Sequence, residues 1–156
     1  NLLQGDHTMI HQLIIAFFLL LDPTINTHNI EQATNSCFTQ TIQPFDPLIC
    51  LSMAYHESRF RPESVGPKLK SGNNAVGMLQ VITKFHKVEP TVDVHTFDGS
   101  VVYAQAAFDY WYNRKGSVEK ALCHYASGNR CAGNYSDKIL TTTRALTLYI
   151  LTGGLL

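Results

Sequence analysis

The stretch from Asp46 to Phe60 constrains the fold most, because it combines a clear helix start with an acidic residue at an apolar position. Asp46 can accept an unpaired backbone N–H, and Pro47 fits the first position of a helix without losing a hydrogen bond. Apolar side chains then recur with helical spacing at Cys50, Met53 and Ala54. The next position on this stripe is Glu57, so the pattern predicts an amphipathic helix with a carboxylate on its buried side.

The position of Glu57 points to acid–base chemistry. Burial disfavours an ionised carboxylate and raises its pKa, and a raised pKa suits a general acid that works near neutral pH. The alternative is structural: Glu57 then lies at the helix end, turned towards solvent or paired with Arg59 or Arg61. The helix pattern alone leaves both interpretations open.

Four short blocks around and after Glu57 occur in a recognisable order. Their members are Glu57, Ser58, Phe60 and Pro62; Ala75, Gly77, Met78, Leu79 and Gln80; Ala121, Leu122, Tyr125, Ser127 and Gly128; and Tyr135. Together they resemble the motifs of the lytic transglycosylase family (soluble lytic transglycosylase, or SLT, type), lysozyme-like enzymes that cut the glycan strand of peptidoglycan. The agreement extends over residues 45–140, and blocks that agree in order and spacing are more specific than any single motif.

The resemblance implies a mainly α fold, a lysozyme-like helical domain of the goose-type and SLT kind. It also implies cleavage of the β-1,4 bond between N-acetylmuramic acid and N-acetylglucosamine with formation of a 1,6-anhydro end, without cofactor or metal. By its place in the motifs, Glu57 is the catalytic residue. The substrate-binding residues that the motifs imply are Ser58, Gly77, Met78, Gln80, Tyr125, Ser127 and Tyr135.

The sequence departs from the family pattern at two positions and in one segment. Ala126 stands where the family has an asparagine that contacts substrate, and Gly66 stands where a serine is frequent. The polar segment 67–74 is longer than usual and is predicted to form a surface loop at the cleft edge. An active site would have to replace the missing asparagine or work without it.

Hydrolysing glycosidases normally use two carboxylates, an acid together with a base or a nucleophile. The other acidic candidates lie outside the matched motifs: Glu63, Asp93, Asp98 and Asp109. A single working carboxylate fits the transglycosylase reaction, in which the sugar's own 6-hydroxyl takes the place of water. Two alternatives stay open: a hydrolytic muramidase of the same fold, and a non-catalytic glycan-binding or structural virion subunit.

Charge and cysteine content argue against two other kinds of site. The chain has 12 basic and 12 acidic residues, so it offers no positive field for nucleic acid, and a neutral glycan is the better polymeric partner. Its four cysteines lack the paired short spacing of a zinc site. Cys50 and Cys123 occupy apolar helical positions and are predicted to be core thiols, with a Cys123–Cys131 disulfide as the alternative in an oxidising compartment.

Residues 1–25 are predicted to form an apolar N-terminal segment ahead of a transglycosylase domain at residues 26–156. The unbroken apolar run at residues 13–21 falls short of the ~20 residues that a membrane-spanning helix needs. No Lys or Arg precedes this run and no small-residue cleavage site follows it, which makes it a poor signal peptide. A packing helix and a segment that contacts membrane between Met9 and Leu21 both fit the pattern.

The remaining sequence predicts helices and no strand alternation. A short helix is predicted after a cap at Thr27 or Asn29. Further helices are predicted at residues 98–116, 117–128 and 136–151. The aromatic cluster in the first of these is predicted to pack in the core, with Tyr110 or Tyr112 exposed.

The biological setting follows mainly from the resemblance. Small domains of this family often belong to machines that pierce the cell wall, and a chain without an initial Met is expected to be either a processed product or a piece of a longer protein. We therefore expect a virion-associated protein that acts in the bacterial periplasm or cell wall during DNA ejection, with glycan strands and other virion subunits as partners. The alternative is an enzyme secreted to the periplasm that works with the subunits of a conjugation or secretion machine.

Overall fold

The computed structural model describes residues 2–131 and 133–155, and these residues are mainly helical. The helices are α1 Leu2–Leu21, α2 Thr27–Gln40, α3 Pro47–Ser58, α4 Phe97–Lys115, α5 Val118–Ser127 and α6 Gly133–Leu151. Between α3 and α4 lie strands β1 Val65–Lys68 and β2 Asn74–Val76 and a 3-10 turn at Thr83–Phe85. The prediction of a mainly α fold is confirmed.

Local capping rules fix several helix ends as predicted. The Asp46 side chain accepts from the Leu48 N–H at 2.8 Å, and Pro47 is the first residue of α3. Ser117 accepts from the Lys120 N–H at 3.2 Å at the start of α5, and Gly116 and Gly128 end α4 and α5. These ends depend on neighbouring residues alone, which is why the sequence predicts them.

Three other helix starts were predicted one or more residues too late. Asn26 caps α2, because its side chain accepts from the His28 N–H at 2.9 Å. Thr96 caps α4 by accepting from the Gly99 N–H at 3.0 Å. Helix α6 begins at Gly133, so Tyr135 lies inside its first turn rather than before it.

Helix α3 is the central helix and is surrounded on all sides. Every residue from Ile49 to Tyr55 is buried, and the helix packs against α2 and α6. The predicted amphipathic stripe is therefore wrong for most of α3, since a helix that is apolar all round belongs in the interior. Helix α3 reaches the surface in its last turn, which carries Glu57. The buried residues of the preceding turns fix the position of the helix.

Helix α1 contributes to the same core as the rest of the chain. Ile14, Phe17 and Phe18 are buried in it, and α1 packs against α2 and α6. Met9 and Leu20 are exposed. Within the described residues, no helix is long and apolar enough to cross a membrane.

A short hairpin interrupts the helices, so the prediction of no strands is wrong in this segment. Strands β1 and β2 are antiparallel, with Val65 opposite Val76, and the Leu69 N–H donates to the Asn73 carbonyl at 2.8 Å across the turn. Strands this short contain too few residues for alternation to be visible in sequence. The polar segment 67–74 forms the tip of this hairpin, and its residues are exposed or half-buried, as the predicted surface loop requires.

All four cysteines form disulfides, Cys37–Cys50 and Cys123–Cys131, so the prediction of core thiols at Cys50 and Cys123 is wrong. Cys37 and Cys50 face each other where α2 packs on α3, with Cα atoms 5.8 Å apart. Cys123 and Cys131 lie on either side of the turn between α5 and α6, with Cα atoms 4.8 Å apart. The second pair was the alternative prediction, because its partners are close in sequence.

The aromatic residues of α4 divide between core and surface. Phe108 is fully buried and stacks on Phe45 with ring centroids 4.8 Å apart. Trp111 stacks on His124 of α5 at 4.9 Å, whereas Tyr110 is 44% exposed. The cluster therefore mainly packs α4 against its neighbours, as predicted, and Tyr110 supplies the exposed ring.

Candidate active site

Glu57 lies in the last turn of α3 and is half-buried. Burial raises the pKa of its carboxyl, and this effect exceeds two opposing ones, a hydrogen-bonding interaction with Tyr135 and the positive charge of Lys138. The structural alternative, a pair with Arg59 or Arg61, is not formed. Arg59 pairs with Asp22 at 3.4 Å, and Arg61 Nε donates to the Ser58 carbonyl at 2.8 Å.

Two tyrosines from different helices lie beside Glu57. The Tyr125 hydroxyl, from α5, donates to the Leu79 carbonyl at 2.7 Å. The Tyr135 hydroxyl, from α6, is buried and has no partner at full hydrogen-bond geometry among the described residues. It lies near enough to the Glu57 carboxyl to lower the pKa of that group through a hydrogen-bonding interaction, so the two side chains are neighbours at this site.

Both tyrosines stay protonated because of where they lie. Burial, and then the charge of Glu57, raise the pKa of Tyr125 well above its ordinary value. The same two causes, in the same order, raise the pKa of Tyr135. The site therefore presents one carboxyl near two neutral O–H groups.

The sequence motifs did not include Lys138 and His56, which also lie at this site. Lys138 is exposed, and its Nζ lies 5.4 Å from the centre of the Tyr135 ring, one helical turn away on α6. His56 Nε2 lies 2.8 Å from the Thr142 hydroxyl, and burial, Lys138 and Arg59 lower its pKa to about 4. The spacing from Tyr135 to Lys138 was a signal that could have identified the lysine, since residues three apart share a helix face.

The segment from Gly77 to Gln80, which we call the floor segment, lies beside Tyr125, whose hydroxyl reaches the Leu79 carbonyl. Gly77 has φ +80°, and a Cβ there would lie 2.6 Å from the Val94 carbonyl oxygen, so only glycine fits. The Leu79 N–H donates to the buried Ser100 hydroxyl at 3.0 Å, which fixes the carbonyl that Tyr125 reaches. Ser100 comes from α4, and no sequence motif singled it out as part of this site.

Ser58 and Met78 support the site from inside. The Ser58 side chain is 3% exposed, and its hydroxyl donates to the Met78 carbonyl at 2.7 Å and accepts from the Arg61 N–H at 3.0 Å. Met78 is fully buried. Both side chains are turned inward and hold the last turn of α3 to the floor segment, and the predicted contact of these two residues with substrate stays a prediction.

Gln80 is turned towards the hairpin. Its amide nitrogen donates to the Gly77 carbonyl at 2.9 Å and to the Ser64 carbonyl at 3.3 Å. A Cβ at Gly66 would lie 2.6 Å from Gln80 Oε1, so glycine at this position makes room for the amide. This gives a physical reason for the departure from the family's serine, while the substrate-binding role of Gln80 stays a prediction.

Ser127 and Ala126 lie at the exposed end of α5. The Ser127 hydroxyl is directed at the carbonyls of Cys123 and Arg130, so it closes the turn that the Cys123–Cys131 disulfide also closes. The predicted contact between Ser127 and substrate stays a prediction, since the residue is exposed. Ala126, which stands where the motif has an asparagine, is exposed.

The other acidic candidates are occupied elsewhere or lie apart from Glu57. Asp98 accepts from the Ser36 hydroxyl at 2.5 Å, Asp109 from Gln105 Nε2 at 2.9 Å, and Asp93 from the His95 N–H at 2.8 Å. None of them, nor Glu63, is among the groups that shift the pKa of Glu57. Within residues 2–131 and 133–155, no three His, Cys, Asp or Glu side chains are grouped as metal ligands.

Comparisons with protein-family models, with curated proteins and with solved structures found no match to this chain. The functional proposal therefore rests on the arrangement around Glu57 and on the order of the sequence motifs. The chemistry of this arrangement is that of one carboxyl with a raised pKa, two neutral tyrosine hydroxyls and one exposed ammonium group.

Proposed function

We propose that this chain is a peptidoglycan lytic transglycosylase with a lysozyme-like helical fold and Glu57 as its catalytic acid and base. The observation that carries the proposal is the half-buried Glu57 carboxyl, whose pKa burial raises, facing Tyr135 and close to Tyr125. A general acid that works near neutral pH requires a carboxyl of this kind.

In the first step, protonated Glu57 donates its proton to the glycosidic oxygen between N-acetylmuramic acid and N-acetylglucosamine. The bond from C1 of the muramic acid to that oxygen breaks, and the N-acetylglucosamine end leaves as an alcohol. Positive charge develops at C1, and the substrate's own acetamido group is placed to stabilise it. Glu57 is then a carboxylate.

In the second step, the Glu57 carboxylate accepts the proton of the 6-hydroxyl of the same muramic acid residue. The oxygen of that hydroxyl bonds to C1 and gives the 1,6-anhydro end, and Glu57 is protonated again. One carboxyl that alternates between acid and base is sufficient for this sequence, whereas hydrolysis normally employs two. The absence of a second carboxyl among the described groups that act on Glu57 supports the one-carboxyl route.

The tyrosines assist by holding the carboxyl and the substrate in place. Tyr135 keeps a buried O–H facing Glu57, and this donor stabilises the carboxylate formed after the first step. Tyr125 fixes the floor carbonyl of Leu79, which leaves the backbone of the floor segment in a set position for a sugar. Sugar hydroxyls are bound well by such preoriented polar groups.

Two disulfides agree with a setting outside the reducing cytoplasm. We propose that the enzyme is virion-associated and opens the cell wall locally for DNA ejection, with glycan strands and other virion subunits as partners. A secreted periplasmic enzyme of a conjugation or secretion machine is the alternative setting.

The decisive experiment is mass spectrometry of muropeptides released from purified peptidoglycan by the wild type, by Glu57→Gln and by Glu119→Gln. We expect 1,6-anhydro ends from the wild type and from the Glu119 variant, because Glu119 is an exposed glutamate in the first turn of α5. Glu57→Gln should lose about 10²–10⁴-fold in rate, the size of a general acid–base contribution.

Other products would contradict the proposal in different ways. Reducing ends in place of anhydro ends would identify a hydrolytic muramidase. No release by a folded wild type would identify a non-catalytic glycan-binding or structural subunit, with the missing asparagine at Ala126 as the first cause to examine.

A further inference from the structure

A polar cleft lies at the C-terminal end of α3, and it contains charges of both signs. Its lining includes Asp22, Asn26, Asn29, Arg59, Arg61 and Glu63; we call it the Arg59 cleft. Its volume is about 390 Å³, within the range of about 300–1,000 Å³ typical of small-ligand sites. The cleft is thus large enough for a ligand of a few residues.

The charged groups on one side of the Arg59 cleft are held in place by the protein. Arg59 Nε pairs with Asp22 Oδ2 at 3.4 Å, its Nη1 donates to the Tyr55 carbonyl at 2.5 Å, and its guanidinium lies 4.1 Å from the Tyr55 ring centre. Asp22 also accepts from the Thr24 hydroxyl at 2.6 Å, and these Thr24 bonds hold the pKa of Asp22 below its ordinary value. This side presents an ordered, permanently charged pair.

The charged groups on the other side of the cleft make fewer contacts within the protein. Arg61 makes its hydrogen bonds through the backbone N–H and Nε, which leaves the terminal nitrogens of its guanidinium for a ligand. Glu63 is exposed, and it takes part in no ion pair within residues 2–131 and 133–155. A carboxylate on the ligand can bind the Arg61 fork, and an ammonium can bind Glu63.

The backbone at Arg59 and Phe60 has an unusual conformation, next to the two arginines of the cleft. Arg59 and Phe60 both have positive φ, at 55° and 62°, and two such non-glycine residues in succession are costly. The buried Phe60 ring, 4.8 Å from the Phe18 ring, anchors this turn in the core. Phe60 points into the core, while Arg59 and Arg61 on either side of it line one cavity.

The mixed charges select the chemical class of the ligand. A phosphate or other simple anion would meet the carboxylates of Asp22 and Glu63, and a neutral sugar would leave all four charges unused. A short peptide with both a carboxylate and an ammonium group complements Arg61 and Glu63 together. The Arg59 cleft is therefore suited to a zwitterionic peptide rather than to a glycan or an anion.

We propose that the Arg59 cleft binds the peptide stem of peptidoglycan while the attached glycan lies at Glu57. This inference rests on the proposed function, which determines the choice of peptide. In peptidoglycan the peptide stem is attached to the muramic acid residue whose glycosidic bond is cut. The cleft and Glu57 are adjacent in the fold, because Glu57 lies in the last turn of α3 and Arg59, which lines the cleft, is the C-cap of the same helix.

The binding test uses the inactive Glu57→Gln protein and the tripeptide N-acetyl-alanyl-γ-glutamyl-diaminopimelate, whose acetyl group stands in for the amide link to muramic acid, followed by calorimetry or NMR titration. The matched probe is the same peptide with its amines acetylated and its carboxyls amidated. We expect binding of the unblocked peptide only, and about tenfold weaker binding after Glu63→Gln or Arg61→Lys, the loss typical of one charged hydrogen bond. Equal binding of both peptides, or no binding of either, would overturn the inference.

The control variant is Glu89→Gln, which changes an exposed glutamate outside the cleft in the same way. An equal loss in this variant would show a general charge effect and would also overturn the proposal. Glu63→Gln is the safer variant for folding, because it is isosteric and Glu63 makes no ion pair within the described chain.

A kinetic arm separates failure of the cleft from failure of the proposed function. The KM for glycan strands that carry stems is compared with the KM for strands stripped by an amidase, in wild type and in Glu63→Gln. We expect the wild type to have a lower KM for stem-bearing strands than for stripped strands. The ratio of the two KM values should be about tenfold smaller in Glu63→Gln. Anhydro products with an unchanged ratio would refute the cleft alone; peptide binding without anhydro products would refute the transglycosylase and leave a peptide site.

Discussion

The two sides of the candidate active site are anchored in different ways. Glu57 extends from α3, whose preceding residues are buried all round and which is tied to α2 by the Cys37–Cys50 disulfide in the core. Tyr125 and Tyr135 flank the turn between α5 and α6, which the Cys123–Cys131 disulfide closes near the surface. We call these the acid side and the tyrosine side.

This difference indicates a division of roles between the two disulfides. On the acid side, the core already fixes the helix that carries Glu57, so the disulfide adds mainly stability. On the tyrosine side, a short exposed turn joins the two helices, and small shifts there move the two hydroxyls near Glu57. We therefore expect one disulfide to control unfolding and the other to control activity.

The largest effect on stability is expected from the double variant Cys37→Ala, Cys50→Ala. The two residues are 13 apart in sequence, and closing such a loop is worth about 3 kcal/mol. Both are fully buried, so the small cavities left behind add to the loss. Urea unfolding should show this decrease, while the folded variant should keep nearly the wild-type rate of anhydro-muropeptide release at low temperature.

The second variant, Cys123→Ala with Cys131→Ala, tests the other half of the comparison. Its loop is shorter, with a separation of 8 residues, and about 2–3 kcal/mol of stability is expected to be lost. The rate of muropeptide release should fall by at least about tenfold in the folded protein, because displacing catalytic groups by about 1 Å can cost more than that. If the rate of muropeptide release fell in proportion to the loss of stability in both double variants, the division of roles would be refuted.

The acid side was largely predictable from sequence because its determinants are local. Asp46 and Pro47 set the start of α3, and counting helical turns from there places Glu57 at its partly buried end. The order of motifs also named Tyr125 and Tyr135, which do lie beside Glu57. Helical spacing was sufficient for Glu57, whereas the two tyrosines were named by the resemblance to the family motifs.

The supporting contacts were not predictable, because they join residues far apart in the chain. Ser100 holds Leu79 across 21 residues, and Cys37 meets Cys50 only because α2 packs on α3. For the same reason, sequence could not show that Ser58 faces inward to the Met78 carbonyl instead of outward to substrate. Which face of a short buried helix end is exposed depends on the whole packing arrangement.

Tyr135→Phe sharpens the comparison by removing one O–H from the tyrosine side without changing its packing. The Tyr135 hydroxyl lowers the pKa of Glu57, so its loss should raise that pKa further. The acid form of Glu57 then persists to higher pH, and the alkaline limb of the pH–rate profile should move upward, with a lower maximum rate. Tyr149→Phe, at a buried tyrosine elsewhere on α6, is the matched control and should leave the limb in place.

The smallest expected effect, and the most specific, comes from Lys138→Met. Lys138 is exposed, and its positive charge lowers the pKa of Glu57, so its removal should move the alkaline limb upward by less than Tyr135→Phe does. Because exposed charges are screened by salt, added NaCl should shift the limb in the same direction in the wild type and have little effect in the variant. Lys120→Met, an exposed lysine on α5 that is not among the groups acting on Glu57, controls for net charge. A salt-dependent limb that survives Lys138→Met would mean that another cation sets the protonation of Glu57, and the tyrosine side would then act through hydrogen bonding alone.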